Sequence, residues 1–334
     1  MEWYLPVIWA GLIGTAVMLY VVLDGFDLGI AILFPTTRDE GERDQMMNSV
    51  APFWDGNETW LVLGGGGLWV AFPTAYAIIM PAFYLPVTLM LLALIFRGVA
   101  FEFRWVAKPK HRVWDLAFWL GSTLAAFAQG LILGGMIQGI TVVDRQFAGG
   151  PFDWFTPFTL MCGAGVVVGY ALLGATWLIY KTEGRVAERA RSQAKVLLLG
   201  LLAFALIVSL WTPYAHPRIA ERWFTWRNMA LLWPFPVLTA LCGFLAWRRL
   251  HGRHEFTPFA LTIAIFVLCF LGLAVSNYPY LVPPDLTIWD VAAAPSSHIF
   301  VLIGVTFLLP MILFYTAFVY WTFRGKVKAD SGYH

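Results

Sequence analysis

Two pairs of acids, each three residues apart, stand where apolar sequence surrounds or follows them. Asp24 and Asp27 lie in Val-Leu-Asp-Gly-Phe-Asp-Leu-Gly, and Asp55 and Glu58 in Trp-Asp-Gly-Asn-Glu-Thr-Trp from Trp54 to Trp60. A spacing of three puts each pair on one helix face. If the first pair sits inside a bilayer, each aspartate costs about 2.5–3.5 kcal/mol on insertion scales, against about 0.3–0.6 returned by each Leu, Ile, Phe or Val. Acids kept at that cost usually face a bundle interior or water and mark proton or ion pathways. The alternative for Asp55 is helix capping, because a carboxylate stabilises the free N–H groups at a helix start. A carboxyl desolvated in this way can exchange protons near neutral pH, which makes all four candidates for a proton path.

Arg97 is the deepest basic residue, at the end of an apolar run that closes with Glu102 and Arg104. It is a candidate partner for one of the acids or for an anionic cofactor group. Direct haem ligation calls for His, Met or Cys projecting into the bundle. His111, His251 and His254 fall in loops, His216 lies outside a run, His334 is the last residue and His298 opens the final run. Met18, Met90, Met136 and Met311 lie within runs, where methionine serves as core filler. No cofactor is therefore expected by direct ligation in this chain, and no metal site. Gly64 to Gly67 imitates a phosphate loop, but no Lys-Ser/Thr follows, and close helix packing is the better reading. Cys162, Cys242 and Cys269 are widely spaced in apolar runs and read as free buried thiols.

The elements that must hold these residues follow from composition. Of 334 residues, 60% are hydrophobic and 13% charged, so nearly the whole chain belongs in a membrane. The formal charge of +2 provides no basic face for nucleic acid. Nine apolar runs are long enough to span: 6–34, 59–80, 81–101, 116–140, 155–180, 196–212, 229–247, 257–278 and 297–323. The split at Pro81 is the least determined, since 59–96 holds 38 residues without a charge, enough for two tight spans or for one plus a re-entrant segment. The first run lacks a positive n-region and is expected to stay as a helix.

With nine spans the 22 Lys and Arg divide into 18 in one set of alternate segments and 4 in the other. That asymmetry places the amino terminus in the periplasm and the carboxyl terminus in the cytoplasm. Trp3, Tyr4, Trp105, Trp114, Trp211, Trp223, Trp226, Tyr320 and Trp321 flank the runs, where interfacial aromatics belong. The expected architecture is a single all-α integral-membrane domain over 1–334.

The segments Val22–Gly29 and Asn48–Trp60, with Phe96–Arg104, Leu286–Asp290 and Pro310–Thr316, resemble subunit II of the cytochrome bd family of quinol oxidases. The shortness of the chain and the compact loop after the sixth span look most like the cyanide-insensitive branch. The resemblance implies two four-helix bundles plus one peripheral helix in a bacterial inner membrane. It also implies a haem-free partner of a subunit I that carries two haems b, one haem d and the quinol site. By the same resemblance Asp24 and Asp55 lie on a cytoplasmic proton route, with Asp27 and Glu58 nearby and Trp54 and Arg97 as contacts toward the haem interface. Glu58 stands where family members also carry an uncharged residue. Membrane lipids, a structural quinone or lipid tail, and a small single-span accessory subunit are the further expected partners. The competing reading is a proton-coupled secondary transporter using Asp24 and Asp27, which should show matching broken helices in its two halves.

Overall fold

A computed structural model describes residues 3–107 and 111–327 of the chain. Thirteen α-helices account for most of these residues: α1 (Leu5–Leu33), α2 (Glu40–Asn48), α3 (Trp54–Ala71), α4 (Pro73–Ala82), α5 (Tyr84–Val106), α6 (Arg112–Gln138), α7 (Pro157–Lys181), α8 (Gly184–Ala215), α9 (Pro217–Phe224), α10 (Trp226–Leu232), α11 (Pro234–Leu250), α12 (Phe256–Asn277) and α13 (Pro295–Thr322). Helices α4, α7, α9, α11 and α13 each begin on a proline, whose fixed φ suits the first turn and whose missing N–H is an orphan there anyway. Two short antiparallel hairpins, β1 (Val142–Val143) with β2 (Gln146–Phe147) and β3 (Tyr280–Val282) with β4 (Leu286–Thr287), bridge α6 to α7 and α12 to α13.

Among the described residues, eight helical segments are long and apolar enough to cross a membrane: α1, α5, α6, α7, α8, α10 with α11, α12 and α13. The run 59–80 is not one helix. Phe72 leaves the helical region (φ −135°, ψ 63°) because it precedes Pro73, so α3 ends at Ala71, well before Pro81, and Pro81 falls in the last turn of α4. Segment 184–195, expected to be a loop, is instead the amino-terminal part of α8, and 40–48, also expected to be a loop, forms α2. Both are polar pieces whose helices are held by tertiary ion pairs.

Helix α1 is the centre, packed against α3, α6, α7, α12 and α13. Its closest neighbour is α7: a Cβ on Gly29 would lie 1.8 Å from the Tyr170 carbonyl oxygen, and one on Gly174 2.4 Å from the Gly29 carbonyl carbon. Around this crossing Phe26, Leu28, Ile30, Leu172, Trp177 and Phe259 form the main core, with Phe26 stacked on Trp177 at 4.3 Å between ring centres. In the glycine run, Gly64 and Gly67 approach Val17 and Ile13 of α1, whereas Gly65 and Gly66 face open space. Helix α13 is the least integrated. Its Phe300, Phe307, Phe314 and Trp321, seven residues apart, are all exposed.

The two ends of the bundle differ. At one, α4 packs on both hairpins, and Trp9, Phe72, Ile79, Val282 and Val291 make a second core. His298 is buried there, its Nε2 bonded to the Ala71 carbonyl at 2.8 Å. The other end is ionic. Arg104 meets Asp115 (2.7 Å) and Asp44, Arg43 meets Asp115 (2.8 Å), and Glu42 of α2 takes Arg189 and Arg185 of α8. Lys181 donates to the carbonyls of Phe323 and Gly325, tying the end of α13 to α7.

Gly29→Ala should cost about 1–3 kcal/mol or more by overpacking, read as a lower unfolding temperature, while Gly65→Ala leaves the fold of the chain unchanged. The Arg189 hydrogen bond holds the Glu42 carboxyl below the ordinary glutamate range. Its contribution is therefore complete above about pH 4.3 and lost as pH falls through the lowered value. Hydrogen exchange across 40–48 should accelerate only in that acid range, and in Glu42→Gln already at neutral pH.

Candidate buried acid cluster

Helices α1, α3 and α5 gather five of the six sequence-selected residues into one cluster. Asp24 and Asp27 project from one face of α1 and are almost wholly buried. Arg97 of α5 has no exposed surface; its Nη2 donates to Asp24 Oδ1 and lies 3.7 Å from Glu58 Oε2 of α3. Gly121 of α6 makes this possible, since a Cβ there would stand 2.6 Å from the Ala93 carbonyl oxygen and 3.1 Å from the Arg97 nitrogen. Trp54, at the first position of α3, covers the guanidinium at 5.5 Å and stacks on Phe101 at 4.8 Å. Anything approaching this face meets Trp54 and Glu58 before Arg97, which lies sealed behind them.

Asp55 is set apart. It points outward from the first turn of α3, is exposed, and reaches the cluster through its field on Glu58.

Five residues not selected from the sequence as site residues complete the site, among them Tyr320, which the sequence suggested only as an interfacial aromatic. Asn57 donates to Asp27 Oδ2 (2.8 Å) and to the Leu23 carbonyl (3.3 Å), and accepts from the Tyr320 hydroxyl of α13 (2.9 Å). Gln129 of α6 donates to the Tyr20 oxygen (2.8 Å) and accepts from Tyr170 of α7 (2.6 Å); the Tyr20 hydroxyl lies beside Asp24. Two signals could have found part of this set: Gln129 interrupts an otherwise apolar stretch of α6, and Tyr20 precedes Asp24 by one helical turn. Asp24 Oδ2, Asp27 Oδ1 and Arg97 Nε and Nη1 are buried without a protein partner. Carboxyl oxygens placed in this way take internal water or a proton, whereas the guanidinium N–H groups are donors only and take an acceptor such as water, so it is the carboxyls of the cluster that are able to accept and release protons.

Among the described residues no group of three or more His, Cys, Asp or Glu is arranged to hold a metal ion. The three cysteines are free, with Cys162 buried, Cys242 half-buried and Cys269 exposed. His111 is buried beside Glu40 at 3.3 Å, and Met90 is core, while Met311 is exposed.

The fold and site define a polytopic helical membrane protein built around an intramembrane carboxylate–guanidinium cluster. The sequence profile for cytochrome bd terminal oxidase subunit II matches residues 5–323. Cytochrome bd-I ubiquinol oxidase subunit 2 of Escherichia coli strain K12 is 30% identical, with 97% of this chain and 95% of the relative aligned. Cytochrome bd ubiquinol oxidase subunit 2 of Bacillus subtilis strain 168 is 28% identical, with 96% of each covered. Among solved structures, the bd oxidase from Geobacillus thermodenitrificans shares the fold, with a TM-score of 0.74 at 18% identity over 95% of this chain and 98% of that one. The chain belongs to the cytochrome bd terminal oxidase subunit II family. It is thus a multi-pass inner-membrane subunit of an oxidoreductase complex.

Arg97→Gln should leave Asp24 buried without its cation and cost about 3–5 kcal/mol, read as a lower unfolding temperature of the complex. Gln129→Leu, which strands the Tyr170 hydroxyl and removes the donor to the Tyr20 oxygen, should cost about 1–3 kcal/mol.

Proposed function

We propose that this chain is the haem-free subunit II of a quinol:oxygen oxidoreductase. Subunit I would carry two haems b, one haem d and the quinol site, and this chain would stabilise it and admit cytoplasmic protons. Two quinols supply four electrons to one O2, four protons are taken from the cytoplasm, and two waters form. Membrane potential arises because electrons and protons reach the oxygen site from opposite sides. The observation that carries this reading is the buried set of Asp24, Asp27, Glu58 and Arg97 near the end of the bundle where the basic loops gather. Asp55, exposed at the start of α3, is suited to deliver protons to Glu58 from that end.

The chain is read as one integral-membrane domain of nine spans, with α3 the ninth despite its glycines and acids. Helix α3 runs from α2 to α4, and α4 packs against both hairpins, so its two ends meet opposite ends of the bundle. With the ionic end cytoplasmic, the amino terminus is periplasmic and the carboxyl terminus cytoplasmic. Two four-helix bundles are assigned to the first eight spans, and α13, exposed along its length, is the peripheral helix. Membrane lipids, a structural quinone or lipid tail, and a small single-span accessory subunit complete the proposed partners. A transporter reading lacks its second half, because no buried Asp or Glu lies beyond Asp115 among the described residues.

Gentle purification through a carboxyl-terminal tag should recover b- and d-type haems with a larger second chain, the haems leaving with that chain on dissociation. A colourless, stable protein purified alone would overturn the assignment. In the intact complex, Asp55→Asn should slow oxygen reduction by about 10²-fold or more without changing haem content.

A further inference from the structure

Two hydrogen-bond chains approach the acid cluster from different flanks, one reaching the Tyr20 hydroxyl beside Asp24 and the other ending on Asp27. From α7, Tyr170 donates to Gln129, Gln129 donates to Tyr20, and the Tyr20 hydroxyl stands beside Asp24. From α13, Tyr320 donates to Asn57, and Asn57 donates to Asp27. The surroundings of the two carboxyls therefore differ in charge. Asp24 is bonded directly to the Arg97 guanidinium. Asp27 is held by a neutral amide and forms no ion pair, and its Oδ1 has no protein partner.

The remaining groups at this level do not alter that contrast. Helix α3 contributes Glu58, which is drawn to Arg97; α6 and α7 contribute the neutral Gln129 and Tyr170; α13 contributes Tyr320; and α12 contributes apolar side chains such as Phe259. Lys181 of α7 is committed to the end of α13. Packing differs as well. On the Asp24 side Tyr170 closes against α1, 2.9 Å from where a Cβ on Gly25 would be. On the Asp27 side Tyr320 and Leu23 line a cavity of about 270 Å³ that also touches Phe53, Lys181 and Arg324.

Protonating Asp24 would remove the only carboxylate bonded directly to a guanidinium that already has Nε and Nη1 without partners, leaving it the partly exposed Glu58 at 3.7 Å, in surroundings where a poorly paired charge is costly. Protonating Asp27 strands nothing, since Asn57 keeps its bond to Oδ2 and the proton occupies the free Oδ1. Resting on the proton-path reading above, we propose that the two aspartates divide the work: Asp24 is a positioning residue, the permanent counter-ion of Arg97, and Asp27 is the carboxyl that carries the proton, aligned by Asn57 and Tyr320. The step binds one H+ at Asp27 Oδ1 and releases the same H+ toward the oxygen-reducing site; no electron moves and no heavy-atom bond changes.

The test is the reduced-minus-oxidised infrared difference spectrum of the whole complex in lipid nanodiscs, read in the carboxylic C=O stretching region, together with oxygen turnover. Asp27→Asn, which preserves the amide contact to Asn57, should abolish one band and lower turnover at least about tenfold with haem content unchanged. The charge-neutral pair Asp24→Asn with Arg97→Gln, which avoids an unpaired buried charge, should retain that band. Tyr320→Phe should shift the band without removing it, a change that a purely structural tyrosine would not produce. A band lost in the neutral pair and kept in Asp27→Asn, or kept in both, overturns the division of roles. A wild-type spectrum with no carboxylic band, together with full turnover in Asp27→Asn and Asp55→Asn, would overturn the proton path itself.

Discussion

The interaction on which the rest depends is the ion pair of Arg97 with Asp24, both without exposed surface inside the helical bundle. A charge in hydrocarbon survives only beside its opposite, so α5 and α1 must meet at one register and no other. The small residues follow from that requirement. Gly121 lets α6 close on α5 at Arg97, and Gly29 with Gly174 lets α7 close on α1 just beyond the aspartates. Trp54 then covers the guanidinium from α3, so that five helices are organised around one pair. Lateral packing in a bilayer gains little from the hydrophobic effect, because lipid is as apolar as leucine; a polar pair with one geometry specifies the register that leucine cannot.

The same logic explains the contrast between the two ends. At the ionic end α2 has little apolar surface, and it is held by Glu42 to Arg189 and Arg185 and by the Arg43, Asp44, Arg104 and Asp115 set. Apart from the buried Arg104–Asp115 pair, each of these pairs has a partly exposed member and is individually modest. Together they keep the segment that enters α3, and with it Trp54, Asp55 and Glu58, at one position relative to α5. At the opposite end the contacts are apolar and aromatic, and backbone bonds such as Ile140 to Pro283 (2.9 Å) and Ala293 to Ala71 (2.9 Å) join the hairpins to the bundle. The acids thus lie toward the end held by charge and away from the end held by packing.

Membership of the cytochrome bd subunit II family gives this arrangement its context. The outward faces agree with a chain that works against another. Gly65 and Gly66 meet no side chain of their own protein, Phe300, Phe307 and Phe314 lie bare along α13, and Asp55 stands exposed next to a buried charge cluster.

Much was legible without coordinates. Composition alone required a polytopic bundle, the spacing of Asp24 and Asp27 required one helix face, and the segments around them were enough for the family resemblance. What remained hidden depended on residues distant in the chain. No local pattern distinguishes the end of α3 at Phe72 from one at Pro81, because both precede or contain proline in a charge-free run; packing of α4 on the hairpins decides it. The polar amino-terminal part of α8 reads as a loop until Glu42 is found opposite Arg189, 147 residues away. The pairing of Arg97 with Asp24, 73 residues apart, and the reach of Tyr320 to Asn57 across 263 residues are likewise properties of helix crossings. By itself the sequence determined which side chains had to be hidden from lipid, because burial cost is a property of residue type. Only the tertiary structure decided which of them met, because a hydrogen bond or an ion pair in a bundle is set by how helices cross and not by where they lie along the chain.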